Sequence, residues 1–148
     1  MRSLLLALAL LGGAELSKFP FPVTYDPDAR RPYNPSEPLW TGPTPCAIKV
    51  QGTGSGSDAT AAAPKRVDKW KQAFPNEKET RTWGRGALLA EVMISSSGRI
   101  SSVRILRSNS EAFDTWVLRE FAHHRYEPAR LDGKPVEMCM VYTSRPHP

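Results

Sequence analysis

Two runs of alternating apolar and polar residues, joined by a short glycine turn, constrain the fold of this chain most strongly. In residues 87–95 apolar side chains recur at every second position and so share one side, and a period of two over this length predicts a β-strand. Residues 96–99 form the turn, with Gly98 where a positive φ is needed. Residues 100–107 return, and Ile100 is out of phase with the apolar residues after it, which indicates either a bulge or an irregular start of the strand. The two runs predict a β-hairpin.

A helix and a third strand follow the hairpin. Ser108 with Glu111 fits a capping box, and Ser110 is a competing N-cap. Apolar residues then recur at helical spacing as far as His123-His124, and they are Phe113, Trp116, Val117 and Phe121. Residues 136–143 alternate again, as a strand does. The order predicts an α+β fold, a small ββαβ domain in which one helix lies on a face of a three-stranded antiparallel sheet.

The chain before the hairpin divides by composition. Residues 1–14 have the charged start, short apolar run and small residues of a signal peptide, with an uncleaved anchor or a misplaced start codon as alternatives. Residues 15–50 form an arm rich in proline and aromatic residues, and residues 51–63 have the composition of a flexible linker. We expect the domain to span residues 64–148 and to open with a short helix at 64–74.

The amphipathic pattern also predicts which side chains pack together. The expected core consists of Phe113, Val117, Phe121, Tyr126, Val92, Ile94, Val103, Met138 and Met140. The opposite, open face of the sheet is not fully polar, since it carries Leu89, Met93, Cys139 and Val141. An apolar patch of this kind usually has a cover. We therefore expect the arm to fold back over the open face and Cys46 to bond to Cys139; two free thiols, or a Cys139 bridge between two chains, are the alternatives.

Local strings in the second half of the chain resemble one family. Phe74-Pro75 is an aromatic–proline pair at its start, and residues 98–108 follow a turn glycine with apolar residues in a fixed rhythm and a closing serine. Residues 125–129 place an aromatic residue just before Glu-Pro-Ala, and residues 131–136 supply a Gly-x-Pro-Val entry to the last strand. On these strings the region up to about Arg145 resembles a TonB C-terminal domain.

The resemblance implies a periplasmic module that binds protein and has no catalytic residue, cofactor or metal. Its implied partner is an outer-membrane receptor or another envelope protein, with a link to transport across the outer membrane, and a homodimer remains open. Such domains pair their last strand with an extended peptide, because an edge strand presents unpaired N–H and C=O groups. The residues expected at this partner-binding edge are Glu137, Cys139, Val141 and Thr143. After cleavage of the signal peptide we expect no membrane span.

The residues themselves argue against other classes of function. The formal net charge of +5 is scattered, without a basic stripe interleaved with aromatic residues, so nucleic acid is not expected as a partner. Adjacent histidines on a helix point about 100° apart, and His123-His124 has no third ligand nearby. Compensation of the helix dipole is the role we expect for them. No Ser–His–Asp or Cys–His arrangement emerges.

Three classes of function remain open at this point. The first is a TonB-like adaptor that binds a partner protein. The second is a structural protein of the cell envelope that dimerises or docks on a scaffold. The third is a small secreted enzyme or inhibitor whose fold matches by coincidence.

Overall fold

The computed structural model describes residues 18–32, 36, 62–73, 75–81, 83 and 87–144. In this part of the chain the strands are β1 (Val23–Tyr25), β2 (Lys65–Arg66), β3 (Leu88–Ile94), β4 (Ile100–Ser108), β5 (Tyr126–Glu127), β6 (Ala129–Leu131), β7 (Lys134–Val136) and β8 (Met138–Ser144). The helices are α1 (Glu77–Arg81) and α2 (Glu111–His123). Within these residues no helix is both long and apolar enough to cross a membrane. The predicted signal peptide and residues 51–61 of the predicted linker lie outside the described residues.

The main sheet has four strands in the order β1-β4-β3-β8. The hairpin of β3 and β4 and the pairing of β3 with β8 are both antiparallel, so the predicted α+β class and the three-stranded antiparallel sheet are confirmed. The arm adds a strand that the sequence did not predict. Its β1 pairs with β4 in parallel, with Val23 opposite Val103 and Tyr25 opposite Ile105.

Two register shifts in the hairpin explain its irregular side-chain pattern. One lies between Met93 and Ile94 and brings Ile100 opposite Ile94, into the core under the helix. The bulge, one of the two alternatives that the phase of Ile100 indicated, is therefore confirmed. The second shift, near the start of β3, leaves Leu106 without a register partner, and its side chain is fully buried. Each extra residue changes which side of the sheet the following side chains face.

The core lies between α2 and one face of the sheet. The predicted members Phe113, Val117, Phe121, Val92, Ile94 and Val103 are buried together, and Tyr126 and Met140 pack against them partly buried. Met138 is also buried but does not belong to this cluster. Trp83, which the sequence did not place in the core, lies 5.2 Å from the ring of Phe113. Burial of each large apolar side chain contributes on the order of 1.5–3 kcal/mol to stability.

The described part of the arm lies on the helix side of the sheet, not over the open face. Phe21 is 5 % exposed, and Phe19, Val23 and Tyr25 pack on the same core as α2. The parallel register causes this placement, because Val23 and Tyr25 stand beside core residues of β4. The expectation that the arm covers the open face is therefore wrong for residues 18–32. Residues 33–50, apart from Ser36, lie outside the described residues.

Residues 64–73 contain no helix, so the helix predicted at 64–74 is wrong. Here β2 pairs antiparallel with β5, with Arg66 opposite Tyr126. The Asp68 carboxylate accepts a hydrogen bond from the N–H of Trp70 at 3.0 Å and two from the Arg66 guanidinium. A side chain that accepts a hydrogen bond from the N–H two residues later in the chain stabilises a turn, which competes with a helix. The helix of this region, α1, begins only after Pro75.

The N-cap of α2 is Ser110, whose hydroxyl accepts a hydrogen bond from the N–H of Phe113 at 3.3 Å. The competing cap is therefore the correct one. Ser108, predicted as the first serine of a capping box, instead donates its hydroxyl to the Asp114 carboxylate. At the other end His124 is the C-cap, and its N–H donates to the carbonyl of Phe121 at 3.1 Å.

Each end of α2 carries a buried titratable group. Asp114 is fully buried and accepts a hydrogen bond from the hydroxyl of Tyr25 at 2.9 Å; burial raises its pKa to about 6, although its hydrogen bonds oppose that rise. His124 is 8 % exposed, and burial, followed by the nearby Arg66, lowers its pKa to about 4. His124 is consequently neutral at pH 7, so its predicted role as a charge on the helix dipole is wrong.

The tip of the hairpin touches the chain just after α2. Gly98 has a φ of 79°, its carbonyl accepts a hydrogen bond from the N–H of Tyr126 at 2.8 Å, and a Cβ at Gly98 would lie 1.8 Å from the carbonyl oxygen of Tyr126. Gly133, in the predicted turn between β6 and β7, has a φ of 76° and nothing within 4 Å of the same position. Only Gly98 combines a left-handed backbone with a backbone contact that a side chain would break.

We expect Gly98→Ala to destabilise the domain much more than Gly133→Ala does. Both substitutions carry the strain of a left-handed non-glycine residue, about 1–2 kcal/mol, but only Gly98→Ala also drives a methyl group into the backbone of Tyr126. Urea unfolding of the two variants beside the unaltered protein measures the difference. Equal losses of unfolding free energy would show that the contact between the hairpin tip and Tyr126 is not tight.

Asp114 and His124 should give opposite pH dependences of stability. The raised pKa of Asp114 contributes stability that is complete below pH 4 and is lost as the pH rises through about 6. The lowered pKa of His124 contributes stability that is complete above pH 6.5 and is lost as the pH falls towards 4. Between pH 4.5 and 6 the two slopes oppose each other.

Single variants should separate these two slopes. Over pH 4.5–6, Asp114→Asn should lose stability as the pH falls, because the His124 slope remains, and His124→Gln should gain stability over the same change. Each slope approaches about 1.4 kcal/mol per pH unit when one full proton is exchanged. Urea midpoints measured across this range provide the test, and slopes of the same sign in both variants would contradict it.

Candidate functional site

The two edges of the main sheet differ in what they present. At one edge β1, from the arm, lies against β4, and at the other edge β8 pairs with β3 alone. No strand among the described residues lies against the outer side of β8. Because β1 is itself an edge strand of only three residues, the seven-residue β8 offers the longer edge of the described sheet to another extended chain.

At the opposite edge, backbone and side-chain hydrogen bonds hold the arm against β4. The N–H of Val103 donates to the carbonyl of Pro22 at 3.0 Å, and the N–H of Asp26 donates to the carbonyl of Ile105 at 2.8 Å. The Arg104 guanidinium pairs with the Asp26 carboxylate at 2.6 Å. Backbone hydrogen bonds from Asp28 and the pairing with Arg104 hold the pKa of the Asp26 carboxyl below its usual range.

The same hydrogen bonds fix the direction of the backbone groups in β8. Because Val103 and Ile105 turn their N–H and C=O groups towards β1, Arg104 between them turns its groups towards β3. The N–H and C=O of its register partner Glu91 then point towards β4, and the same alternation applies to the next strand, β8. Val141 is opposite Glu91 in the pairing of β3 with β8. The N–H and C=O of Val141 consequently point away from β3, to the outer edge.

The four residues predicted at this edge fall into three groups. Cys139, Val141 and Thr143 share the phase whose backbone groups point outwards. Val141 is 47 % exposed and Thr143 is exposed, whereas Cys139 is only 3 % exposed. Glu137 is the single residue between β7 and β8, so its inclusion in the edge strand is wrong. Cys46 lies outside the described residues, and its bond to Cys139 stays a prediction.

The electrostatics beside this edge centre on Glu91, the cross-strand neighbour of Val141. Glu91 is 7 % exposed, and its Oε1 atom has no hydrogen-bond partner. Burial raises the pKa of this carboxyl, and the positive charge of Arg104 opposes the rise. Among the described residues no three His, Cys, Asp or Glu side chains gather as metal ligands do. Backbone pairing is therefore the chemistry that this edge offers.

Sequence reasoning missed a second surface, which the extended segment 64–73 forms on α2. The Trp70 indole N–H donates to the Glu120 carboxylate at 2.8 Å, and the Trp70 ring stacks on His123 with centroids 3.7 Å apart. The N–H of Arg125 donates to the Asp68 carboxylate at 2.9 Å. The short spacing of Asp68 and Trp70 was the available signal, since an aspartate two residues before an N–H favours a turn.

Comparison with known proteins places this architecture in a family. Residues 71–143 match the family model described as Gram-negative bacterial TonB protein C-terminal. The solution NMR structure of the Pseudomonas aeruginosa TonB CTD is similar to this chain, with 25 % sequence identity, a TM-score of 0.46, and coverage of 60 % of this chain and 93 % of that one. No curated protein sequence matches the chain. TonB C-terminal domains are periplasmic, non-enzymatic protein-interaction domains of Gram-negative bacteria. Residues 71–143 are therefore identified as a TonB C-terminal domain.

Proposed function

We propose that this chain is a periplasmic adaptor that binds an extended segment of an outer-membrane receptor, or of another envelope protein, in support of transport across the outer membrane. The segment adds as a strand to the outer edge of β8. The observation that carries the proposal is the outward direction of the Val141 N–H and C=O at the sheet edge opposite the arm. The family of the domain supports a protein as the partner.

Strand addition at this edge has a stated physical basis. Main-chain hydrogen bonds to Val141 and Thr143 supply affinity for any extended chain, and the side chains on either side of β8 supply selectivity. Val141 is 47 % exposed before a partner binds, so covering it removes apolar surface from water. The opposite edge is formed by the three-residue β1, which is too short to pair with a long segment, and this favours β8 for a partner.

Replacing Val141 with proline should abolish binding without unfolding the domain. Proline has no N–H, and its ring blocks an approaching strand, whereas the hydrogen bonds between β8 and β3 come from the alternate residues. We expect at least about a tenfold loss of affinity, from one backbone hydrogen bond and the steric block. Val141→Thr keeps the N–H and is the matched control.

The measurement is affinity capture from solubilised outer membranes, followed by titration of the captured protein's extended segments against each variant. Thermal melts check that Val141→Pro is folded. Equal binding of the proline and threonine variants would show that the β8 edge is not the site. Capture of envelope scaffold proteins alone, with the same loss in Val141→Pro, would favour a structural role over one in transport.

We also propose that Cys46 and Cys139 form a disulfide that ties the arm to β8. Cys139 is buried in this strand, and the chain has no other cysteine than these two. Alkylation of the exported protein without reductant, followed by intact mass, should show no label on either thiol. Two labels per chain would disprove the bond, and a doubled mass would place it between two chains.

A further inference from the structure

A groove runs between the arm and α2, on the side of the domain away from β8. Its volume is about 280 Å³, and its walls come from two elements that are distant in sequence. The arm contributes Lys18, Phe19 and Pro20, and α2 contributes Thr115, Arg119, Ala122 and His123. The groove therefore exists only when the arm is in place beside the helix.

The helix wall of the groove carries a row of polar and basic side chains. Thr115, Arg119 and His123 follow each other at intervals of four residues, so they stand one above the other about 6 Å apart on one face of α2. The His123 ring is held in position by its stacking on Trp70. Lys18 faces this row from the arm. Among the described residues no acidic side chain lines the groove.

Arg119 has no carboxylate partner among the described residues, in contrast to several other arginines. Arg30, Arg66, Arg81 and Arg104 each have a carboxylate partner. Within the described residues the exposed Arg119 guanidinium has neither an ion pair nor a hydrogen bond. An arginine without a partner in a groove with a basic wall offers a planar, bidentate site for a carboxylate.

The size and the floor of the groove narrow the class of occupant. Its volume is at the lower end for small-molecule sites and fits one or two side chains. Phe19 and Ala122 are partly buried and form an apolar floor beside the charges. The complementary chemistry is an acidic residue next to an apolar one, as found in a peptide segment.

We propose that this groove is a second protein-docking site, which binds an acidic segment of a partner protein. A carboxylate pairs with Arg119, and a neighbouring apolar side chain lies on Phe19 and Ala122. The site lies beside the arm and α2, and the proposed strand addition takes place at the opposite edge of the sheet. A partner that reaches both sites gains affinity from each contact.

The first test locates binding on the full exported chain by NMR. The probe is a fluorescein-labelled peptide with two aspartates on each side of one leucine, compared with the same peptide carrying asparagines. We expect the acidic peptide to shift the backbone amide signals of Thr115, Arg119 and His123 and to leave those of Val141 and Thr143 in place. Shifts at β8 instead of the groove, or equal binding of the asparagine peptide, would overturn the proposal.

The second test uses fluorescence anisotropy with charge variants. Arg119→Glu should weaken binding of the acidic peptide by about tenfold or more, since it replaces an attraction with a repulsion. Arg81→Gln, which removes a charge from an exposed side chain on α1, is the matched control and should change binding by less than about twofold. Val141→Pro should also bind normally, which separates this site from the proposed β8 function.

The remaining outcomes identify other occupants, and each overturns the proposal. Equal losses in Arg119→Glu and Arg81→Gln would mean non-specific attraction by the net positive charge. Saturation of the groove signals by phosphatidylglycerol vesicles, with no response to the peptide, would assign the groove to a lipid surface. Signals that move on dilution without any peptide would assign it to a second copy of the chain.

Discussion

The direction of backbone hydrogen bonds in β4 sets the pattern that the rest of the sheet follows. Val103 and Ile105 turn their amide and carbonyl groups towards the arm, and alternation through the paired residues Arg104, Glu91 and Val141 then sets the direction of the backbone groups in β8. Because strands pair through alternate residues, a bond made at one edge decides which residues are exposed at the other. The strand addition proposed at β8 thus depends on a register that is fixed on the far side of the sheet.

Buried polar contacts anchor the arm more specifically than its apolar residues do. Tyr25 donates to Asp114, which also accepts from Ser108, so a strand of the arm, the hairpin and α2 meet at one carboxyl group. Burial and the neighbouring carboxylate raise the pKa of the Tyr25 phenol well above its usual range, so Tyr25 remains a donor. A carboxyl group that accepts hydrogen bonds from two hydroxyl groups fixes the positions of the three elements relative to one another. The groove beside α2 depends on that geometry.

Periodicity predicted the parts of this fold that are long and regular. The hairpin, α2 and β8 each repeat their pattern over seven or more residues, and the broken phase at Ile100 correctly indicated a bulge or an irregular start. Glu137 was misplaced because alternation alone does not show where a strand begins.

Short elements escaped prediction for physical reasons. Strand β1 has three residues between prolines, which is too short for a period, and its pairing depends on contacts far away in sequence. Residues 64–73 have apolar residues at helical spacing, but the Asp68 carboxylate accepts a hydrogen bond from the N–H of Trp70 and so favours a turn over a helix. The groove residues carry no motif, since the arm and α2 come together only in the folded chain.

The separation between β1 and its partner has a consequence for how the molecule assembles. Tyr25 and Asp114 are 89 residues apart in sequence. The arm is synthesised before the hairpin and α2, so its strand stays unpaired for longest. Closing so long a loop is slow compared with forming the adjacent hairpin, and the fourth strand therefore joins a structure that is already formed. During that interval an unpaired strand is exposed to wrong partners. Pro20, Pro22 and Pro27 interrupt its N–H groups on both sides, which leaves a stretch too short to start an aggregate.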